Sequence, residues 1–219
     1  FISATVSAGL ADGKTIGQGL EEMDKIASET LDDTFRTALS GDSKDYRESS
    51  SSLMFAFILA LVLIYLILAA QFESFKDPFI IMLTVPLAIA GALIFMFAGG
   101  ITMNIFSQIG IIMLIGLVAK NGILIVEFAN LKQESGEDKM AAIRNAALQR
   151  LRPILMTSVS TILGLIPLAF ATGEGANQRI AMGTAVVGGM LVSTLLTMYI
   201  VPAIYTYIST NRKVKTETV

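Results

Sequence analysis

The chain has no cysteine and no histidine among its 219 residues. Those two absences together remove disulfides, thiolate and imidazole metal sites, and imidazole acid–base chemistry. Charge is scarce as well. Charged residues make up 16% of the sequence against 53% hydrophobic residues, with a mean hydropathy of +0.67. A soluble domain has about a quarter charged residues, so this is the composition of a membrane protein. The net charge is -2, and the basic residues are scattered through short loops instead of forming a face, which gives nucleic acid no surface to bind. Also missing are a phosphate-cradling loop, a nucleophile elbow, a metal-ligand cluster and an acid pair within helical reach, so the chain does not read as an enzyme. Phe1 is not an initiator methionine and no signal-peptide pattern follows it, so the sequence is expected to be a piece of a longer protein.

What is present is five long apolar runs, at 53–71, 78–98, 104–130, 153–172 and 180–208. Each is near the ~20 residues that a bilayer-spanning helix requires. Asp77 and Pro78 suit the N-cap and first helical position of the second run. Pro86, Pro167 and Pro202 fall inside runs, where neighbouring helices or hydroxyls must satisfy the carbonyls they free. Residues 1–49 are polar and divide into a β-branched start, a helix and a second weakly alternating segment at 33–41. Thr15 and Gln18 have capping-box spacing, which places a helix start at Thr15. The expected fold is therefore an all-α membrane protein of five transmembrane helices, preceded by a small soluble β-α-β remnant. Two strands cannot form a stable sheet alone, so the rest of that sheet is expected elsewhere.

Orientation follows from lysine and arginine in the short loops. Lys76 lies between the first two runs, and Lys132, Lys139, Arg144, Arg150 and Arg152 lie between the third and fourth. Arg212, Lys213 and Lys215 occupy the tail at 211–219. The opposite loops carry only Arg179. The C-terminus is thus expected in the cytoplasm and the N-terminal piece on the outer side. Between the third and fourth runs, about 138–150, Met140, Ile143, Ala147 and Leu151 share a helical face. This suits either a short helix at the cytoplasmic interface or an ordinary amphipathic connector.

Lys120 is the one charge placed deep inside an apolar run. Such a cation costs roughly 2.5–3.5 kcal/mol on insertion scales and normally faces a protein interior with a partner. It lies about ten residues, or ~15 Å, from the inner end of its helix, too far for a lysine stem to reach water comfortably. Gly116 and Glu127 share its face, and Glu127 is near enough to the headgroups for ordinary solvation. Asn121 is placed either to bridge helices or to fix a backbone carbonyl. In the fourth run Thr157, Thr161, Gly164 and Leu168 form a small, hydroxyl-bearing stripe. It lines a wet path beside Lys120, unless each hydroxyl bonds back to its own helix. In the fifth run Ala181, Ala185, Gly189, Ser193 and Thr197 recur every four residues, the spacing of close helix packing in lipid.

The stretches LAAQFESFKDPFIIMLTVPLAIAGAL, SQIGIIMLIGLVAKNGILIVEFAN, RLRPILMTS, GTAVVGGM and VPAIY carry a specific likeness. In them the chain resembles the C-terminal membrane half of the resistance-nodulation-division (RND) multidrug efflux pumps, in the hydrophobe and amphiphile exporter branch. The resemblance implies the eighth to twelfth helices of a twelve-helix protomer, with 1–49 as the end of a periplasmic porter subdomain. It implies a proton-driven antiporter of the bacterial inner membrane that uses no cofactor beyond the proton gradient. Lys120 falls on a relay lysine that pairs with two aspartates of the fourth helix, Thr157 on a relay threonine, and Arg150 on an arginine near its cytoplasmic end. The acidic partners would come from an N-terminal half not contained in these residues, so the chain alone is not expected to transport. A homotrimer, a periplasmic adaptor, an outer-membrane channel, membrane lipids and amphiphilic small molecules are the implied partners. Two alternatives stay open. One is a proton-motive assistant of protein or lipid export on a similar helical core, and the other is a non-transporting membrane scaffold.

Overall fold

A computed structural model describes residues 3–11, 14–32, 34–173 and 175–210, apart from the side chains of 42, 45 and 48–51. The expected tail arginine and lysines, at 212, 213 and 215, lie outside the described residues. The chain divides into two compact units, Phe1–Phe55 and Ala56–Val219.

In the first unit, α1 (Ile16–Thr30) begins where the capping-box spacing places it. Thr15 Oγ1 accepts from the Gln18 amide, and Gln18 Oε1 accepts from the Thr15 amide, each at 3.3 Å. Two donors with no partner inside the helix are thereby satisfied. The start of α2 (Asp42–Phe72) brings Arg47 into an ion pair with Asp24 of α1. Both side chains are about half exposed, so the pair contributes at most about 1 kcal/mol.

The expected β-α-β remnant does not form. Among the described residues there is no strand, and 3–11 and 35–40 run without regular structure. β-branched and alternating residues supply propensity only. A strand exists through the ladder hydrogen bonds of a neighbour, and these two segments do not pair.

Among the described residues, five helical spans are long and apolar enough to cross a membrane: Ser52–Phe72, Lys76–Ala98, Ile105–Glu134, Lys139–Ala169 and Ala176–Ile208. They coincide with the five apolar runs, and the differences lie at boundaries and breaks. The second span is two helices, α3 (Lys76–Met82) and α4 (Thr84–Ala98), interrupted at Leu83. Pro86 causes the break, because it offers no N–H to the Met82 carbonyl and its ring crowds that oxygen. Beside the break, Thr84 Oγ1 donates to the Ile81 carbonyl at 2.7 Å in a buried site.

Nor is Asp77 the cap of this span. Lys76 is already helical, and Ser74 Oγ accepts from the amides of Lys76 and Asp77 at 3.2 and 3.4 Å. The Asp77 side chain turns inward and is buried.

α5 (Ile105–Glu134) opens on a capping box between Asn104 and Ser107. The stretch at 138–150 and the fourth run are one helix, α6 (Lys139–Ala169), with Pro153 inside it. Pro153 frees the carbonyl of Gln149, an exposed residue whose backbone water can reach, so the helix continues. Its inward face there is Ala142, Ile143 and Ala146, while Met140 and Leu151 are exposed. α7 (Ala176–Ile208) is the central element and packs against α4, α5 and α6. One apolar cluster gathers Ile80, Ile81, Ile125, Val126, Ile154 and Val201, and a second gathers Ala88, Leu114, Val118, Ala185 and Met190.

Candidate functional site

α5 presents two faces with different chemistry. Val118, Ala119, Asn121 and Gly122 point into the helices of the second unit, whereas Gly116, Lys120 and Glu127 are exposed together on one outward stripe. Lys120 therefore stands midway along an apolar helix on the unit's outer flank. Among the described residues it makes no ion pair and no hydrogen bond. Thr157 and Gly164 of α6 are exposed as well, and a Cβ built on Gly116 or Gly164 meets nothing within 4 Å.

The two threonine hydroxyls of the α6 stripe bond back to their own helix. Thr157 Oγ1 donates to the Ile154 carbonyl at 3.1 Å and Thr161 Oγ1 to the Thr157 carbonyl at 2.8 Å. A hydroxyl committed in this way still offers lone pairs to an outside donor. Leu168, the last residue of the predicted stripe, is partly buried.

One residue behind Lys120, Asn121 is 3% exposed and bridges helices. Its Nδ2 donates to Ser158 Oγ at 3.2 Å and to Thr194 Oγ1 at 3.3 Å, and Thr194 Oγ1 donates to Ser158 Oγ at 3.2 Å. Side chains from α5, α6 and α7 thus close a buried polar ring. Of the two roles open to Asn121 in the sequence, the structure displays the interhelical bridge.

Arg150 is not brought to Lys120. Its guanidinium carbon lies 4.4 Å from the centroid of the Phe128 ring, a cation–π contact. Phe128 is eight residues beyond Lys120, or about 12 Å along α5. The Nε of Arg150 is buried and has no hydrogen-bond partner among the described residues.

The small-residue stripe of α7 lies at the centre of the second unit, where Ala185, Gly189 and Ser193 are all buried. A Cβ on Gly189 would run into the Leu114 side chain and stand 2.9 Å from the Ala88 carbonyl oxygen. At Gly183 the obstruction is backbone, namely the Ala169 nitrogen at 2.6 Å and the Leu168 carbonyl carbon at 2.8 Å.

A second buried polar network, which the sequence reading missed, ties the ends of four helices. Asp77 Oδ2 accepts from Asn130 Nδ2 at 3.1 Å, and Asp77 Oδ1 accepts from Ser209 Oγ at 3.3 Å. The Tyr205 hydroxyl donates to Asn130 Oδ1 and accepts from Gln133 Nε2 at 2.7 Å. Lys139 Nζ donates to the Ser209 carbonyl at 2.5 Å. Leaving one such buried group unmade costs roughly 1–3 kcal/mol, so the network fixes how α3, α5 and α7 meet. Asp77 read as a cap, and Asn130, Gln133, Tyr205 and Ser209 carried no reading in the sequence. The available signal was the i, i+3 spacing of Asn130 and Gln133 on one face of α5. Beside the network, Gln71, Phe72, Glu127, Asn130, Leu131 and Glu134 line a small groove of about 120 Å³.

In the turn between α5 and α6, Glu137 accepts from Lys132 Nζ and from Asn145 Nδ2, both at 2.9 Å. These two hydrogen bonds, that of Lys132 foremost, hold its carboxyl below the ordinary 4.5. A depressed folded-state value means that the contribution is present above 4.5 and lost as pH falls through the folded value. Amide-exchange protection of the turn at 135–138, corrected for intrinsic pH dependence, should therefore weaken below that pH. Glu137→Gln should remove this acid-dependent step, and an unchanged step would contradict the assignment.

The profile of the AcrB/AcrD/AcrF family matches residues 1–209. An uncharacterized transporter of Haemophilus influenzae is 38% identical over 218 residues, covering 96% of this chain and 21% of the relative. The toluene efflux pump membrane transporter TtgB of Pseudomonas putida is 39% identical over 199 residues, covering 91% and 19%. The multidrug resistance protein MdtF of Escherichia coli is 40% identical over 196 residues, covering 89% and 19%. The chain thus spans about a fifth of the length of the curated relatives it matches.

Proposed function

The chain belongs to the AcrB/AcrD/AcrF family, and from that premise we propose that it is part of a proton-driven exporter of amphiphilic compounds in the bacterial inner membrane, with Lys120 as the cation of the relay. One observation carries this reading: Lys120 is exposed on an apolar helix flank, with no anion for it among the described residues. In a bilayer such an ammonium requires a partner. The anion is a carboxylate of another helix of the complete protein, two aspartates by the family resemblance. An ammonium within ~4–6 Å keeps such carboxylates ionised. Proton uptake on one of them releases the lysine, and the altered charge pattern biases a rigid shift of α5 and α6.

Thr157, the residue before Ser158 of the buried ring, offers the released ammonium an acceptor. Arg150 acts closer to the cytoplasmic end, beside Phe128. The basic loops place the C-terminus in the cytoplasm and residues 1–49 in the periplasm. The working assembly is a homotrimer joined to a periplasmic adaptor and an outer-membrane channel. The names of the toluene and multidrug relatives support an amphiphilic substrate class. A pure scaffold accounts for the α7 stripe but gives no reason for a charge at Lys120.

The test is proton coupling. With the complete gene product in proteoliposomes holding a pH-sensitive dye, transport of ethidium should move protons in the opposite direction. Ethidium transport without proton movement would overturn the proposal.

A further inference from the structure

We propose that Asn121, Ser158 and Thr194 act as a positioning clamp that sets Lys120 and Thr157 in register, a role that rests on the relay reading above. The two relay candidates lie on different helices and are both exposed, and among the described residues neither has a side-chain hydrogen bond to another helix that fixes its rotation. Their immediate neighbours do. Asn121 follows Lys120, Ser158 follows Thr157, and these neighbours are joined by a hydrogen bond of 3.2 Å. Consecutive residues are about 100° apart around a helix, so a locked neighbour sets where the preceding side chain points.

Thr194 makes the pair a ring. It belongs to α7, which packs on both α5 and α6, and it bonds to Asn121 at 3.3 Å and to Ser158 at 3.2 Å. All three side chains are 3–4% exposed, in a helix interior where the surrounding residues are apolar. A carboxamide and two hydroxyls are dispensable for packing alone, since apolar residues of the same shape fill such space at no hydrogen-bonding cost. What the ring adds is a fixed rotation of α5 against α6, because a turn of either helix leaves buried polar groups without partners. Thr194 itself lies on the far side of the ring from the outward stripe and carries no relay role.

The experiment uses the complete gene product and ethidium export driven by an imposed pH gradient, with rates taken per folded protein. Thr194→Val keeps the shape and removes the hydroxyl. It should lower the maximal rate about three- to tenfold, leave the apparent KM for ethidium unchanged, and be restored by Thr194→Ser. Ser158→Ala should show the same split, and it serves where Thr194→Val does not accumulate. A wild-type maximal rate in these variants, with Lys120→Met inactive, would overturn the clamp and leave the relay standing. A change confined to protein yield would assign the ring to packing and also overturn the clamp. Full export by Lys120→Met would remove the relay and the clamp with it.

Discussion

Lys120→Met in the complete gene product is expected to abolish proton-driven ethidium export, with a fall of about a hundredfold or more, while the protein folds normally. The size follows from the proposed relay: without the ammonium, proton uptake by its partner carboxylates no longer biases helix movement, and a coupling of about 3 kcal/mol is worth about a hundredfold. The preserved fold follows from placement. Lys120 is exposed on an apolar flank and bonds to nothing among the described residues, so methionine breaks no contact within them, and the carboxylates proposed to face it can take up a proton once the ammonium is gone. Methionine also matches the lysine stem and relieves the roughly 2.5–3.5 kcal/mol insertion cost of the charge. Lost activity with an intact fold is the signature of a charge kept for function. The scaffold alternative expects the opposite: Lys120 tolerates neutral substitution, and the Gly189 stripe does not. Wild-type export by this variant would remove Lys120 from the relay.

Gly183→Val should destabilise the helical unit by about 3 kcal/mol or more, measured as unfolding free energy in mixed detergent. The argument turns on what the new atoms would meet. At Gly183 they meet the backbone of Leu168 and Ala169 at the end of α6, which no side-chain rotation can clear. α6 and α7 must then move apart, and α7 is the element on which α4, α5 and α6 all pack. Gly122→Ala is the control. Its Cβ would stand 3.2 Å from a methyl group of Ile81, whose side chain can yield by a few tenths of an ångström. That variant should cost less than about 1 kcal/mol, since alanine also favours the helix over glycine. Equal effects at the two positions would show that the α6–α7 contact is not the tight joint described here.

Periodicity and hydropathy were enough to locate the five spans, the Thr15 start of α1 and the small-residue stripe of α7, because each is a local property of the chain. The breaks were less legible. Pro86 interrupts its span at Leu83, while Pro153 lies within a continuous helix. Pro167 and Pro202 also lie within continuous helices, and a one-dimensional pattern does not record which proline a helix accommodates. The β-α-β remnant failed for a related reason, since strand propensity in 3–11 and 35–40 has no partner to act on among the described residues.

At the candidate site, the outward placement of Lys120 agrees with a charge that needs another surface, and the neighbouring Asn121 was recognised as a possible bridge. Ser158 and Thr194, its partners, were invisible because they lie 37 and 73 residues away in sequence. Asp77 misled most, because its position before Pro78 matches a helix cap. Only the approach of Asn130 and Ser209 reveals a buried network.

The distance from Lys120 Nζ to the nearest carboxylate oxygen, measured in an experimental structure of the complete gene product, tests the central claim most directly. The account predicts a separation within about 4 Å in at least one conformational state, with the carboxylate supplied by a helix outside these residues. An amine directed into lipid or bulk water in every state, with no carboxylate within about 6 Å, would contradict it.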